Sequence, residues 1–389
     1  MKRMTPRENL LHLLRREGYE TVPVEFMLCP SLEKSFQEEI GGPGADYMEY
    51  FGMPWRRVGE LIPEDTDITR FYPYYDEIKD NMEIDEWGVG HESSPTSMHM
   101  TKMLHPLEDA EEVEEIESYP IPVYTEEKNA WVKDRVQELH EKGLASVGNM
   151  QCTIWETAWY IRGMENLMMD MLSDEELAEA VFDMVEKMST DRALIYAKAG
   201  VDILYLGDDI GMQHSIMMSE EMYSQWLYPR LKRLISKVKE VRPDIIVIYH
   251  SCGYIESFIN YLIDAGIDVL NPIQAECMEF REIYEKYGDR ISFHGTIGTQ
   301  TVMPFGTPEE VKENVWGNLD IAGEKGALWW PPPTCWSRKC PGPTSWPTRR
   351  HAGSIRKSKK ETERTKAPGQ TYGCLERTRE AAEKSIPTR

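Results

Sequence analysis

Basic charge is scarce in this chain of 389 residues: 44 lysines and arginines stand against 67 aspartates and glutamates, for a formal net charge of -23. Nucleic-acid phosphates and anionic membrane surfaces would repel such a chain, which leaves small molecules or proteins as partners. Long apolar runs are missing as well. The opening stretch MKRMTPRENLLHLLRREG interrupts its leucines with His12, Arg15 and Arg16, so no secretory core is read there, and no later segment approaches the length of a membrane span. A cytoplasmic protein is expected. The seven cysteines have no disulfide-like spacing, in keeping with a reducing compartment, where a functional cysteine is a ligand or a nucleophile. Neither a G-x-G-x-x-G nor a phosphate loop follows any apolar run, so nicotinamide and nucleotide chemistry have no support.

What is present is a rhythm. Thr5-Pro6-Arg7-Glu8, Ser173-Asp174-Glu175-Glu176 and Thr307-Pro308-Glu309-Glu310 each fit a capping box at a helix start. Short apolar runs at 22–26, 145–150, 201–206, 245–249, 267–270 and 290–293 predict buried strands, with helical patterns between most of them. Alternating strands and helices indicate a parallel α/β sheet. The run Ala199-Gly200-Val201-Asp202-Ile203-Leu204 recurs as Ala265-Gly266-Ile267-Asp268-Val269-Leu270, as two equivalent units would, each closing a helix with glycine before a strand. A (β/α)8 TIM barrel over residues 1–326 is the economical fold, with the least regular region, 30–125, as an insertion over its mouth. The acidic stretch 107–118 predicts a solvated helix and loop, and Met164, Met168, Met169 and Met171 predict core filling.

Past residue 326 the character changes: 327–389 is basic, rich in Pro, Ser, Thr and Arg, and without a period of 2 or 3.6. Read one base earlier, the codons of Trp329-Trp330-Pro331 must give Val-Ala, and the segment can read Val-Val-Ala-Pro-Thr-His-Val-Leu-Glu-Pro-Glu-Val-Pro-Trp, a buried strand and a loop. A frameshift near Ala327 is therefore expected, with the last strand and helix missing or replaced by an out-of-frame tail. Cys335 and Cys340 would then be products of the wrong frame. A barrel without its closing strand would expose an open edge and an uncovered core, and would be inactive or unstable.

Chemistry concentrates at His250-Ser251-Cys252-Gly253, where the run Ile245-Ile246-Val247-Ile248-Tyr249 meets a turn. In a strand, residues two apart share a face, so the imidazole of His250 and the thiol of Cys252 point to one spot. They are either a metal-ligand pair or a buried cysteine beside a satisfied histidine. Asp208 and Asp209 follow the strand run 203–206; one carboxylate should face the mouth to bind metal, orient His250 or act as an acid/base, unless it caps a helix. Glu156, beyond the strand ending near Met150, is a further candidate ligand or substrate contact, while Asn271, Gln274 and His294 at later strand ends are candidate pocket residues. His294 reads equally as a satisfied core histidine.

Thr5-Pro6-Arg7-Glu8 with Val22-Pro23-Val24, Asp85-Glu86-Trp87-Gly88, Gly207-Asp208-Asp209-Ile210-Gly211, His250-Ser251-Cys252-Gly253, Gly266-Ile267-Asp268 with Asn271-Pro272-Ile273-Gln274, and Phe305-Gly306-Thr307-Pro308-Glu309-Glu310-Val311 occur in that order. Together they resemble the uroporphyrinogen decarboxylase superfamily, especially its cobalamin-dependent methyltransferase branch. The resemblance implies a (β/α)8 barrel and two possible chemistries. Decarboxylases of the superfamily hold an acidic tetrapyrrole with arginines in an N-terminal segment and use no cofactor, whereas the matching stretch here, Glu25-Phe26-Met27-Leu28-Cys29-Pro30, has no arginine. A porphyrinogen-like acid is therefore the weaker expectation. The methyltransferase branch implies zinc on an H-x-C pair and a later cysteine, activating a thiol or other one-carbon acceptor toward a methyl-corrinoid. Carried over by position, His250 and Cys252 are the first two ligands; the third lies in the segment after 326, with Cys277 as a substitute. No Asp-x-His-x-x-Gly corrinoid signature is present, so the corrinoid would arrive on a partner protein.

Overall fold

The structure, a computed structural model, describes residues 3–93, 102–322 and the backbone of 328–329. The inferred frame change, Cys335, Cys340 and nearly all of the basic tail lie outside the described residues. Ten strands are present among those described: β1 (Trp55–Arg57), β2 (Met82–Ile84), β3 (Gly90–Glu92), β4 (Lys102–Leu104), β5 (Ala145–Gln151), β6 (Ile203–Gly207), β7 (Ile246–His250), β8 (Val269–Asn271), β9 (Ser292–His294) and β10 (Leu328–Trp329). Seven of them form one sheet in the order β1-β5-β6-β7-β8-β9-β10, and every pairing is parallel. Helices connect the strands from β5 onward, as the rhythm predicts, and the fold is of the (β/α)8-barrel kind. No pairing joins β10 to β1 among the described residues, so the sheet is not closed there. β2, β3 and β4 form a separate antiparallel meander.

Alternation along the strands sorts the side chains into two cores. Outward residues such as Leu204, Leu206, Val247, Tyr249, Leu270 and Phe293 are buried against the surrounding helices. Inward residues Ala145, Val147, Ile203, Ile246, Ile248 and Val269 pack on Leu10, Leu11, Leu13 and Leu14, so the helix Pro6–Leu14 plugs the N-terminal end of the sheet. The greasy half of the interior is thereby filled. The inward residues Gln151, His250, Asn271 and His294 at the C-terminal strand ends are polar, at the place where parallel folds put their chemistry.

Four expectations need correction. The run 22–26 is not a strand: only Val24 and Leu28 make isolated bridges, because Pro23 has no amide to donate and Glu25 turns inward. Conversely, the region 30–125 holds β1, an edge strand of the main sheet that pairs with β5 through Trp55↔Ala145. At the start of the helix Glu175–Ala199 the capping group is Asp174 rather than Ser173, which ends the preceding helix Met164–Ser173. Of the four methionines on that helix, Met171 is buried and Met169 is exposed.

The internal repeat has a physical basis. Gly200 and Gly266 take left-handed conformations, φ 92° and 105°, that end their helices. The aspartate two residues later then accepts a neighbouring strand's first amides: Asp202 from Ser146 N at 3.0 Å and Asp268 from Val247 N at 2.9 Å. Asp202 is the more buried, and it also accepts from Arg7 at 2.6 and 2.8 Å and from His140 at 2.9 Å. Burial raises its pKa, but Arg7, the Ser146 amide and His140 outweigh burial and hold the carboxylate below its usual range. Its contribution to stability is thus present above the unfolded carboxylate range, near pH 4, and is lost as pH falls through the lower folded value. Asp202→Asn is expected to cost about 2 kcal/mol, the size of charge-assisted bonds lost in a buried site. Asp268→Asn, on a half-exposed pair with Lys239, should cost about 1 kcal/mol or less. Urea unfolding of both variants checks this, and equal losses would refute the asymmetry.

Candidate metal centre

The strand register sets one polar row at the mouth. Gln151 pairs with Gly207, Gly207 with His250, and His250 with Asn271, all at C-terminal strand ends. Gly207 is small for a reason: a Cβ there would stand 2.6 Å from the Cβ of His250 and 2.8 Å from its carbonyl oxygen. The chain after β6 and the turn after β7 then approach each other closely. At Gly253, φ 85°, an added Cβ would lie 2.5 Å from the Gly211 carbonyl carbon, so two backbones touch where side chains would normally separate them. Tyr254 N donates to Met212 O at 2.7 Å and Ile210 N to Ser251 Oγ at 3.0 Å, which fastens the two loops.

This fastening brings Asp209 to the histidine–cysteine pair. His250 Nε2 lies 3.5 Å from Cys252 Sγ and 3.5 Å from Asp209 Oδ1, and the three donor atoms all fall within 4.8 Å of one another. Metal–nitrogen and metal–sulfur bonds of about 2.0 and 2.3 Å at a tetrahedral angle require donors about 3.5 Å apart. The set of imidazole, thiol and carboxylate therefore fits a zinc-type cation in both chemistry and spacing. Burial depresses the His250 pKa despite the nearby Asp209 carboxylate, which keeps the ring neutral, as a ligand must be. Burial, and then Asp209, push the Cys252 thiol up, so a metal must displace its proton and affinity rises with pH.

The two aspartates divide their roles. Asp208 is 3 % exposed and turns away from the cluster: its carboxylate accepts from the amides of Thr153, Ile154 and Glu156 at 2.9–3.1 Å, at the start of the helix Trp155–Arg162. Burial pushes it up to about 7, opposed by those amides. Asp209 instead accepts the Cys252 amide at 2.7 Å, and its own amide donates to Glu156. Glu156 stands beside the cluster, hydrogen-bonded by Tyr160 at 3.1 Å, and burial followed by the charges of Asp208 and Asp209 pushes it up to about 8.

The expected pocket residues have internal tasks. Gln274 Oε1 accepts from Gly253 N at 2.8 Å and so holds the turn that carries Cys252. Asn271 and His294 are buried behind His250, hydrogen-bonded in series and ending at Glu25, whose carboxylate lies 2.9 Å from His294 Nε2. Cys277 is not in the three-donor cluster; its thiol faces Gln213 Oε1 at 3.7 Å. Sequence reading missed Glu25 and Tyr205. A lone carboxylate inside the apolar run Val24-Glu25-Phe26-Met27-Leu28 was the available signal for the first, and the inward alternation Ile203, Tyr205, Gly207 for the second.

Comparison with known proteins agrees with this layout. The family model described as uroporphyrinogen decarboxylase (URO-D) matches residues 92–328. Over 194 residues the chain is 26% identical to a methylated-thiol–coenzyme M methyltransferase of Methanosarcina mazei, covering 48% of this chain and 50% of that protein. Over 152 residues it is 26% identical to a uroporphyrinogen decarboxylase of Rickettsia conorii, covering 39% of this chain and 41% of the relative. It thus spans about half the length of the curated relatives it matches, and both of them are enzymes. A solved methyltransferase from Methanosarcina mazei shares the fold, with a TM-score of 0.61 at 18% identity over 92% of this chain and 99% of that one. With more than half of its residues matched by the family model and its strands laid out as in that structure, the chain belongs to the uroporphyrinogen decarboxylase (URO-D) family.

Proposed function

We propose that this chain is a zinc-dependent methyltransferase that moves a methyl group between a corrinoid protein and a thiol or other one-carbon acceptor. The convergence of Asp209, His250 and Cys252, with both of the separations from His250 Nε2 at tetrahedral spacing, is the observation that carries the reading. These three residues would hold the ion, leaving a fourth position for the acceptor. Zinc bound there supplies Lewis acidity, lowering the pKa of an acceptor thiol so that it reacts as the thiolate. His250 offers a neutral imidazole, Cys252 and Asp209 offer negative charge, and the loop contacts around Gly253 fix their separations. Glu156 is the acid/base group, because a carboxyl pushed up to about 8 exchanges its proton near neutral pH. Asp208 serves by anchoring the helix that carries Glu156.

Decarboxylation of a porphyrinogen-like acid fits less well. The segment where cationic partners for such an acid would be expected buries Glu25 against His294 and packs Phe26, Leu28 and Cys29 into an apolar cluster. An anion of many carboxylates would find a buried carboxylate there rather than a cation. The test is to purify the full chain anaerobically, load it with zinc, and follow methylcobalamin, as a stand-in for the methylated partner, with a panel of small thiols. About one zinc per chain and zinc-dependent demethylation of the corrinoid are expected. Folded protein that binds no zinc, or binds it and demethylates nothing, would overturn the reading.

A further inference from the structure

Asn271 uses every hydrogen-bonding position it has. Its Oδ1 accepts from Tyr205 OH at 2.7 Å and faces His250 Nδ1 at 2.6 Å, while its Nδ2 lies 2.7 Å from His294 O and 2.8 Å from His294 Nδ1. A backbone carbonyl can only accept, so the amino side of the amide must face His294. The amide oxygen is then toward His250, and the proton in that 2.6 Å contact has to be on Nδ1 of the ring. In the neutral ring the lone pair is then on His250 Nε2, the atom aimed at Cys252 and Asp209.

The far end closes the same way. The second amino hydrogen of Asn271 points at His294 Nδ1, so that nitrogen is bare, and the hydrogen of this ring is on Nε2, 2.9 Å from the Glu25 carboxylate. Glu25 is 5 % exposed and His294 4 %, so water does not compete for these bonds. The His294 carbonyl can only accept and a carboxylate accepts as well, so this arrangement of hydrogens suits both ends together.

From this we infer that Asn271 is a positioning residue for the metal centre, locking His250 as its Nδ1–H tautomer, and that Glu25 locks the other end through His294. The inference deepens the zinc-site reading and rests on it for its purpose, but the tautomer itself belongs to the metal-free protein. Partners that fix a ligand histidine in this way typically change metal affinity by about 10–100-fold.

Long-range proton–nitrogen correlation spectra of the full, metal-free, 15N-histidine-labelled chain test it directly. His250 should be protonated on Nδ1 and bare on Nε2, and His294 the reverse, with the rings assigned from single-histidine variants. A His250 ring protonated on Nε2 overturns the inference whether or not zinc binds; the expected tautomers without any zinc binding would overturn only the metal reading. Cobalt(II) titration gives the second readout. Asn271→Leu should weaken binding by about 10–100-fold, Glu25→Gln should weaken it less, and the double variant should be no weaker than Asn271→Leu alone, because Glu25 acts only through the amide. Losses that multiply would overturn the series connection. Should Asn271→Leu fail to fold, the spectrum of the unaltered chain still decides.

Discussion

Cys252→Ser is expected to abolish stoichiometric zinc while leaving the fold in place. Four-ligand zinc sites bind with an apparent free energy of about 10–16 kcal/mol, so one ligand accounts for roughly 3–4 kcal/mol, or on the order of 10²–10³ in Kd. A serine hydroxyl does not ionise as a thiol does, and the imidazole and carboxylate that remain make a far poorer site. The substitution is otherwise small. Cys252 holds Asp209 through its backbone amide as well as its thiol, and the 2.7 Å amide bond survives the change. Unfolding midpoint and far-ultraviolet circular dichroism are therefore expected to match those of the unaltered chain, and metal analysis after dialysis to read near zero. Undiminished zinc would show that the ion sits elsewhere. Ser251→Ala makes the informative contrast: Ser251 Oγ bonds Ile210 N on the other side of the strand, so zinc should be weakened only as far as the Asp209 loop loosens.

Much of this site was legible because a period of two needs only a strand to act on. The β-branched run 245–249 fixes the strand, the alternation fixes the face, and His250 and Cys252 follow. The choice between Asp208 and Asp209 was not legible. Both follow the last residue of β6, and what separates them is the helix starting at Trp155, whose amides claim Asp208 from about fifty positions away in sequence. Glu25 was hidden for a similar reason: its partner His294 is 269 residues distant, and no local pattern records such a pair. The fold divides the same way. Strands β5 to β9 are buried on both sides and read as apolar runs, whereas β1, with Arg56 and Arg57 in its three residues, is an edge strand that binds Asp46 and backbone carbonyls and lacks the apolar signature. Pro23, by contrast, sits inside an apolar run that carries strand composition without strand pairing.

The glycines around the cluster lead to the second large effect, in Gly253→Ala. Two costs combine at this position. A side chain at φ 85° is strained by about 1–2 kcal/mol, and the new Cβ meets Gly211 carbonyl carbon and oxygen at 2.5 and 2.7 Å, backbone atoms that no rotamer change can move aside. Overpacking of that kind typically adds about 1–3 kcal/mol, for a total of about 2–5 kcal/mol. The structure can relieve the clash only by parting the two loops, which stretches the Tyr254–Met212 contact and carries Asp209 away from Cys252. Stability and metal should therefore fall together. Gly18→Ala isolates the strain: Gly18 has φ 91° and nothing within 4 Å of an added Cβ, so it should cost about 1–2 kcal/mol and leave zinc binding untouched. Urea unfolding gives the difference between the two variants, and zinc analysis gives its location. If Gly253→Ala costs no more than Gly18→Ala and keeps its metal, the close approach of the two loops is not what assembles the site.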